Sequence, residues 1–135
     1  MHCINVMHRD LKSANIFLKD EEEVAKLGDM NVSKVCNSKG LNYTQTGTPY
    51  YASPEVWRDE PYDNKSDVWS LGCVIYELTT LKPPFQASDM NSLFKKILKG
   101  AFAPIPEHFS NDLRTMLSNM LTVNTKKRLN TVQLM

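Results

Sequence analysis

Residues 8–15 read His-Arg-Asp-Leu-Lys-Ser-Ala-Asn, and this stretch decides how the rest of the chain is interpreted. It brings a carboxylate, an ammonium group and an amide together within six positions, at Asp10, Lys12 and Asn15. The alternative interpretation is a chance run of polar turn residues, because short motifs carry a false-positive risk. The composition and the sequence on either side therefore have to decide between the two.

Length and charge limit the class of protein. The chain has 135 residues, which fits one domain or part of one. A formal net charge of +1 gives no electrostatic argument for nucleic acid or for an acidic membrane as a partner. With 41% hydrophobic and 23% charged residues, the composition is that of a globular chain.

The cysteines and the apolar runs bear on the compartment. Cys3, Cys36 and Cys73 are odd in number, far apart and not arranged as Cys-x-x-Cys. They predict neither a zinc site nor a disulfide framework, which favours a reducing cytosolic or nuclear compartment. The apolar runs are too short to cross a bilayer, and no signal-peptide pattern opens the sequence.

The first third of the chain predicts a hairpin and a long loop. Apolar runs at 15–19 and 24–28 flank the acidic turn at 20–23, which is typical of a small β-hairpin. Residues 31–51 show no lasting periodicity and are rich in polar residues and glycine. A loop of that length inside a compact domain is usually functional.

The remainder predicts helices. Residues 68–78 leave little polar face, so we expect a helix buried in the middle of the fold that stops at 82–84. Residues 90–98 are apolar at i, i+3, i+4, i+7 and i+8, and Gly100 ends that helix. Residues 113–121 repeat the pattern, with Ser110, Asn111 and Asp112 as cap candidates.

The opening stretch matches the HRDLxxxN catalytic loop of protein kinases, and three further motifs follow in the family's order. Residues 48–55 (TPYYASPE) resemble the end of an activation segment. Residues 67–72 (DVWSLG) resemble the start of the central helix of the kinase C-lobe. Arg128 stands where the family has an arginine paired with the glutamate that ends the segment, here Glu55.

The resemblance can be narrowed to the NIMA-related (NEK) kinases. It is carried by residues 10–18 (DLKSANIFL), 47–51 (GTPYY), 64–73 (NKSDVWSLGC) and 78–85. The implied fold is α+β and mostly α: a protein-kinase-like fold limited to the C-terminal lobe, with helices, a small β-hairpin and an activation segment.

Within that resemblance, residues 1–135 are expected to form a partial protein kinase domain. Its parts are the catalytic loop at 8–15, the activation segment at 29–55 and the C-lobe helices at 66–135, with the N-lobe absent.

The resemblance implies a role for each catalytic residue. Asp10 accepts or orients the proton of the substrate hydroxyl, and Lys12 neutralises the transferring phosphoryl group of ATP. Asn15 and Asp29 hold Mg²⁺ on the phosphates. Thr48 bonds Asp10 and Lys12 and shapes the pocket for the residue after the target hydroxyl.

Regulation would act through the same loops. Arg9 is placed to receive a phosphate on the activation loop, and Thr44 is the first candidate acceptor, with Thr46 and Tyr43 behind it. The alternative for Thr44 is a plain solvated loop threonine.

Other residues receive structural roles by the same resemblance. His8 is packed, Asp67 bonds the backbone of the catalytic loop, and Glu55 forms a buried pair with Arg128. Surface or packing roles are expected for His2 and His108, and a solvated helix face, with docking as the second interpretation, for Lys95, Lys96 and Lys99.

Two departures from the family's pattern stand out. Asp29-Met30-Asn31 replaces Asp-Phe-Gly; methionine can fill the apolar position, and asparagine tolerates positive φ. No Gly-rich loop and no Val-Ala-Ile-Lys lysine precede the catalytic loop. We therefore expect a fragment that is inactive by itself.

The function expected from the resemblance is a serine/threonine protein kinase of the NIMA-related type, using ATP and Mg²⁺ on Ser or Thr of a protein substrate. The alternative is a non-catalytic, pseudokinase-like or short-form interaction module. We expect no nucleic-acid or membrane partner. Family analogy suggests cytoskeletal or ciliary targets and a cytoplasmic location, extending to the cytoskeleton, cilium or nucleus.

Overall fold

The computed structural model describes residues 1–19, 24–30, 34–35 and 49–135. The described part is mostly helical with short antiparallel strand pairs, which agrees with the α+β class. Its strands are β1 (Val6–Met7), β2 (Ile16–Lys19), β3 (Val24–Leu27) and β4 (Lys34–Val35). Its helices are α1 (Pro54–Trp57), α2 (Lys65–Thr80), α3 (Met90–Lys99), α4 (Asn111–Met120) and α5 (Thr131–Leu134), with single 3-10 turns at His2–Ile4, Ser13–Asn15 and Pro49–Tyr51.

The predicted hairpin is confirmed. β2 and β3 pair antiparallel, with Ile16 opposite Leu27. This register places Asn15, just before β2, beside Gly28, just after β3, and the Gly28 N–H donates to the Asn15 carbonyl at 2.9 Å. Because the strands have only four residues each, the hairpin mainly brings its two ends together.

Helix α2 lies at the centre of the main hydrophobic core. Trp69 and Cys73 are fully buried on it, and the Trp69 ring stacks on Phe85 at a centroid distance of 5.4 Å. Burial raises the pKa of the Cys73 thiol above its usual range, so this cysteine stays a neutral packing residue. The buried members of this core are Trp69, Cys73, Phe85, Leu93, Ile97 and Leu121.

The helix ends agree with the sequence signals. Ser110, one of three cap candidates, accepts the Leu113 N–H to cap α4, and Asp89, which was not predicted as a cap, accepts the Ser92 N–H to cap α3. Gly100 ends α3 with a φ of 66°, where a β-carbon would collide with the Val123 side chain. Glycine is therefore required there by both backbone and packing.

One expectation about α2 is wrong in detail. The sequence predicted a helix buried on nearly every side, yet Leu78 is 64% exposed. Helix α4 packs on the face of α2 that carries Gly72. A β-carbon at Gly72 would lie 3.0 Å from the Cβ atom of Met120 on α4. At 3.6 residues per turn, Leu78 points about 120° away from that face.

Among the described residues, no helix is both long and apolar enough to cross a bilayer.

A buried ion pair joins the start of α1 to the segment before α5. Arg128 donates from Nη1 to Glu55 Oε1 at 2.6 Å and from Nη2 to Oε2 at 2.9 Å. The remaining guanidinium N–H groups donate to the carbonyls of Thr122, Lys65 and Val123. All five donors of Arg128 are thus satisfied, as burial of a charge requires.

The carboxylate side of this pair is equally well supplied. Burial by itself would raise the pKa of Glu55, but the hydrogen bonds and charge of Arg128 outweigh it and hold that pKa below its usual value. Ser66, in the first turn of α2, adds a hydrogen bond from its Oγ to Glu55 Oε1 at 2.7 Å. The pair therefore ties together three segments that are distant in sequence.

We predict that Glu55→Gln lowers the free energy of unfolding of the complete protein by about 3–5 kcal/mol, because it leaves a buried guanidinium without its counter-charge. Urea unfolding measures this. Glu60→Gln is the matched control: its exposed carboxylate lies 3.8 Å from Arg58, and its loss should cost less than about 1 kcal/mol. Equal stability of the two variants would contradict the prediction.

Candidate active site

The catalytic-loop motif is anchored to α2 by one carboxylate. The Asp67 Oδ2 atom accepts the His8 N–H at 2.8 Å, and Oδ1 accepts the Arg9 N–H at 2.9 Å. Asp67 is 3% exposed and sits in the first turn of α2. Two backbone bonds to a buried carboxylate, each charge-assisted, hold the start of the loop in a single orientation.

This anchor supports an unfavourable backbone conformation. Arg9 has a φ of 70° and Asp29 a φ of 52°, and neither is glycine. A non-glycine residue in the left-handed region costs about 1 kcal/mol or more and persists only where the surroundings over-determine it. Such residues cluster at functional sites, which supports a functional interpretation of this end of the molecule.

His2 also belongs to the anchor, which corrects its assignment to a mere surface or packing role. Its Nε2 lies 2.8 Å from Asp67 Oδ2, and because an ionised carboxylate only accepts, His2 is the donor. Nothing in the sequence spacing pointed to this contact, since 65 positions separate the two residues. His108, in contrast, is exposed, and its ring contacts that of its neighbour Phe109 in a tilted arrangement.

Three of the expected catalytic residues lie in direct contact. Lys12 Nζ donates to Asp10 Oδ2 at 2.8 Å, and Asn15 Nδ2 donates to the same oxygen at 3.1 Å and to the Asp10 carbonyl at 2.8 Å. No described residue hydrogen-bonds to Asp10 Oδ1. The carboxylate thus keeps one oxygen available, and its residue is partly accessible.

The hairpin brings Asp29 to the same place. Gly28 bonds Asn15 through its N–H, and its carbonyl lies 3.0 Å from His8 Nε2, so the residue that follows it stands next to the catalytic loop. Both hydrogen bonds that the Asn15 amide makes to described residues use its nitrogen, so within this part of the chain its oxygen is available to a cation.

The donor chemistry fits the implied Mg²⁺. An amide oxygen and a carboxylate, at Asn15 and Asp29, are the hard ligands that this ion prefers, and Mg²⁺ usually completes its shell with water and substrate phosphates. Elsewhere in the described ranges, no group of three or more His, Cys, Asp or Glu could hold a metal.

Arg9 contacts a residue that the sequence analysis did not single out. Its Nε donates to the Tyr62 hydroxyl at 2.9 Å, and its guanidinium carbon lies 5.9 Å from the centroid of that ring. Tyr62 lies in the segment between α1 and α2. A cation over an aromatic face is attracted to it, so Tyr62 helps to hold Arg9 beside the catalytic loop.

A second tyrosine connects the catalytic loop to α2. The Tyr51 hydroxyl donates to Glu77 Oε2 at 2.7 Å and lies 3.0 Å from Ser13 Oγ. Burial raises the pKa of Tyr51, the Glu77 carboxylate raises it further, and Ser13 partly opposes this. The phenol therefore stays neutral and acts as a fixed donor.

Six residues named above lie outside the described residues. They are Asn31, Cys36, Tyr43, Thr44, Thr46 and Thr48.

Comparison with known proteins assigns the family. The sequence profile of the protein kinase domain matches residues 1–135, the whole chain. The chain therefore belongs to the protein kinase domain family.

Similar curated proteins carry the Nek name. The chain is 53% identical over 128 residues to the probable serine/threonine-protein kinase nek3 of Dictyostelium discoideum, covering 92% of this chain and 11% of that protein. It is 47% identical to the serine/threonine-protein kinase Nek5 of Mus musculus, over 95% of this chain and 21% of that protein. The chain is 48% identical to the serine/threonine-protein kinase Nek1 of Mus musculus, over 95% of this chain and 11% of that protein. The chain thus spans between about a tenth and a fifth of these relatives, whose names agree with a NIMA-related type.

We predict that Asp67→Asn frees the start of the catalytic loop. An asparagine side chain has one accepting oxygen where the carboxylate has two, so at least one of the two backbone bonds is lost. A bond to a charged group is worth about 1.5–3 kcal/mol, so amide exchange at His8 and Arg9 should speed up about tenfold or more. Hydrogen–deuterium exchange of the complete protein measures it.

Asp63→Asn is the matched control for this experiment. The exposed Asp63 carboxylate accepts the Lys65 N–H at the start of α2 and makes no hydrogen bond to the backbone of His8 or Arg9 among the described contacts. Its replacement should leave exchange at His8 and Arg9 unchanged. Unchanged exchange at those two amides in Asp67→Asn as well would show that the anchor does not hold the loop.

Proposed function

We propose that the protein is a serine/threonine protein kinase of the NIMA-related type that transfers the γ-phosphoryl group of ATP to a hydroxyl of a protein substrate. One observation carries the proposal. The Asp10 carboxylate is held through Oδ2 by Lys12 and Asn15, while Oδ1 has no hydrogen-bond partner among the described residues. An oriented carboxylate with one available oxygen suits the acceptance of a hydroxyl proton.

The proposed step is a direct displacement. The substrate hydroxyl oxygen bonds to the γ-phosphorus, the bond from that phosphorus to the β-bridging oxygen breaks, and ADP leaves. The hydroxyl proton passes to Asp10, which holds the attacking oxygen in line. Lys12, whose ammonium lies 2.8 Å from that carboxylate, places a positive charge where the transferring group passes.

Asn15 and Asp29 are the proposed ligands of Mg²⁺, which when bound neutralises charge on the phosphates. Asn15 is suited to this because its nitrogen is committed to Asp10, which fixes the direction of its oxygen. The Gly28 bonds to Asn15 and His8 hold the backbone of the next residue, Asp29. Thr48 remains a proposed partner of Asp10 and Lys12.

We further propose that these residues act within a longer kinase chain. None of the 135 residues forms a Gly-rich loop or a Val-Ala-Ile-Lys motif, the parts that cover and align the ATP phosphates. The matched relatives are also several times longer. The 135 residues alone should then show no phosphoryl transfer.

Cytoskeletal or ciliary substrates and a cytoplasmic location are also part of the proposal. Fractionation of the cells would test the location.

The decisive experiment uses the protein as its cells make it, captured with an antibody against residues 107–126. We expect a mass well above 15.4 kDa and incorporation of phosphate into Ser or Thr of a general protein substrate. Asp10→Asn should reduce this activity by at least about a hundredfold, the lower range for removal of a general base.

Asp112→Asn, an exposed position on α4, is the control and should retain full activity. Asp10→Asn with undiminished activity would contradict the assignment of the base. A native mass of 15.4 kDa without activity would favour the interaction module instead.

We also propose that Arg9 receives a phosphate carried by Thr44. Support comes from the Arg9 side: Asp67 fixes its backbone and Tyr62 contacts its guanidinium, which orients this charge beside the catalytic loop. A phosphothreonine carries close to two negative charges, and a guanidinium can bind it through paired hydrogen bonds.

Thr44→Ala should therefore lower kcat of the native kinase by about tenfold or more, since loss of 1.4 kcal/mol from the ordered active state is already a factor of ten. Phosphopeptide mapping should find phosphate on Thr44 in the active protein. Thr115→Ala, exposed on α4, serves as the control and should leave kcat unchanged. Full activity of Thr44→Ala would mean that the phosphate acceptor is Thr46 or Tyr43, or that no residue of this loop is the acceptor.

A further inference from the structure

An open pocket lies beside the Pro49–Tyr51 turn, away from the catalytic loop. Its volume is about 560 Å³, and it is formed where this turn meets the segment between α2 and α3 and the exposed face of α3. The proposed catalytic step uses none of its lining residues. These are Tyr50, Pro83, Gln86, Ala87 and Lys96.

Lys96 and Tyr50 supply the pocket with hydrogen-bond donors. Lys96 Nζ donates to the Gln86 carbonyl at 2.6 Å, which fixes its ammonium at the rim and leaves two of its three N–H groups available. The Pro83 carbonyl is also occupied, by Gln86 Nε2 at 3.4 Å. The Tyr50 hydroxyl has no hydrogen-bond partner in the described ranges.

The walls of the pocket rest on the core. Tyr50 and Ala87 both pack against the buried cluster around Trp69 and Phe85, so the pocket exists before anything binds. None of the lining residues that the structure describes is acidic. Asp89, the nearest acidic residue along the chain from Gln86, is committed to the cap of α3, where it accepts the Ser92 N–H at 2.9 Å.

The pocket lies within reach of a substrate held at Asp10. Tyr50 is the neighbour of Tyr51, whose hydroxyl lies 3.0 Å from Ser13 Oγ, and Ser13 is three positions from Asp10. The path from Asp10 to the pocket runs along the backbone to Ser13, across its contact with Tyr51 and on to Tyr50. An extended substrate peptide of at most about ten residues covers that length. A peptide lying across the Pro49–Tyr51 turn can occupy both.

We propose that this pocket binds an acidic side chain, Asp or Glu, of the protein substrate and so selects substrates with a carboxylate at one defined distance from the acceptor hydroxyl. The inference rests on the proposed kinase function. A fixed ammonium, a phenol hydroxyl and occupied carbonyls form a site complementary to an anion. Aromatic and proline walls accommodate the methylene groups of the same side chain.

The test uses the complete protein and serine peptides that differ only in the place of a single glutamate, scanned over every position within that reach. We expect one position to raise kcat/KM about fivefold over the peptide with glutamine there, the scale of an exposed ion pair. The gain should lie in KM and should decrease in high salt.

Matched variants separate the pocket from the general charge of α3. Lys96→Gln should reduce the glutamate preference to less than about half of its original value, since the preference is expected to depend on this ammonium. Lys95→Gln, an exposed neighbour that does not line the pocket, should keep the preference and the basal activity. Tyr50→Phe keeps the ring and should weaken the preference less than Lys96→Gln.

Three results would overturn the proposal: no favoured position for glutamate, a preference unchanged by Lys96→Gln, or a preference seen only with a phosphorylated residue. Failure to phosphorylate any peptide would instead concern the proposed function. In that case, binding of the labelled glutamate and glutamine peptides to the Asp10→Asn protein is compared by fluorescence anisotropy. Equal affinity for the two peptides would overturn the pocket assignment independently of catalysis.

Discussion

The interaction on which the site depends is the burial of the Asp67 carboxylate under the backbone of the catalytic loop. It accepts from His8, Arg9 and His2, and it stands in the first turn of α2 beside Ser66. Ser66 in turn donates to the Glu55–Arg128 pair. Two adjacent residues of one helix therefore anchor His8 and Arg9 on one side and Glu55 at the start of α1 on the other. Because α2 is itself packed around Trp69 and Cys73, the rigidity of the core is passed directly to the site.

The polar groups around this anchor are almost completely partnered, which explains how charges can be buried here. Arg128 uses all five of its donors, and Asp67 accepts three hydrogen bonds. At Asp10, in contrast, one carboxylate oxygen has no hydrogen-bond partner among the described residues, and its surroundings are partly accessible. An accessible carboxylate oxygen of this kind, next to buried charges that are fully hydrogen-bonded, is a physical signature of a reactive position.

The side of the molecule that carries the pocket depends on two adjacent tyrosines with different partners. Tyr51 joins Ser13 of the catalytic loop to Glu77 of α2, whereas Tyr50 forms a wall of the pocket next to Lys96. Because the two residues are neighbours in one 3-10 turn, the position of the pocket is coupled to that of the catalytic loop. Chemistry and substrate selection would then share one rigid connection.

The sequence by itself determined the family, the hairpin, the long helices and the residue types of the site. These depend on local spacing: HRDLKSAN is a contiguous motif, and the periodicity of residues 90–98 is read over a few turns. Gly100 and the cap at Ser110 were likewise visible because capping is a local effect. Only the tertiary structure decided that His2 supports Asp67, that Tyr62 holds Arg9, that Leu78 is exposed, and that Tyr50 and Lys96 share a pocket. Those contacts join residues tens of positions apart, and no local propensity encodes them, because they arise from how complete helices pack against one another.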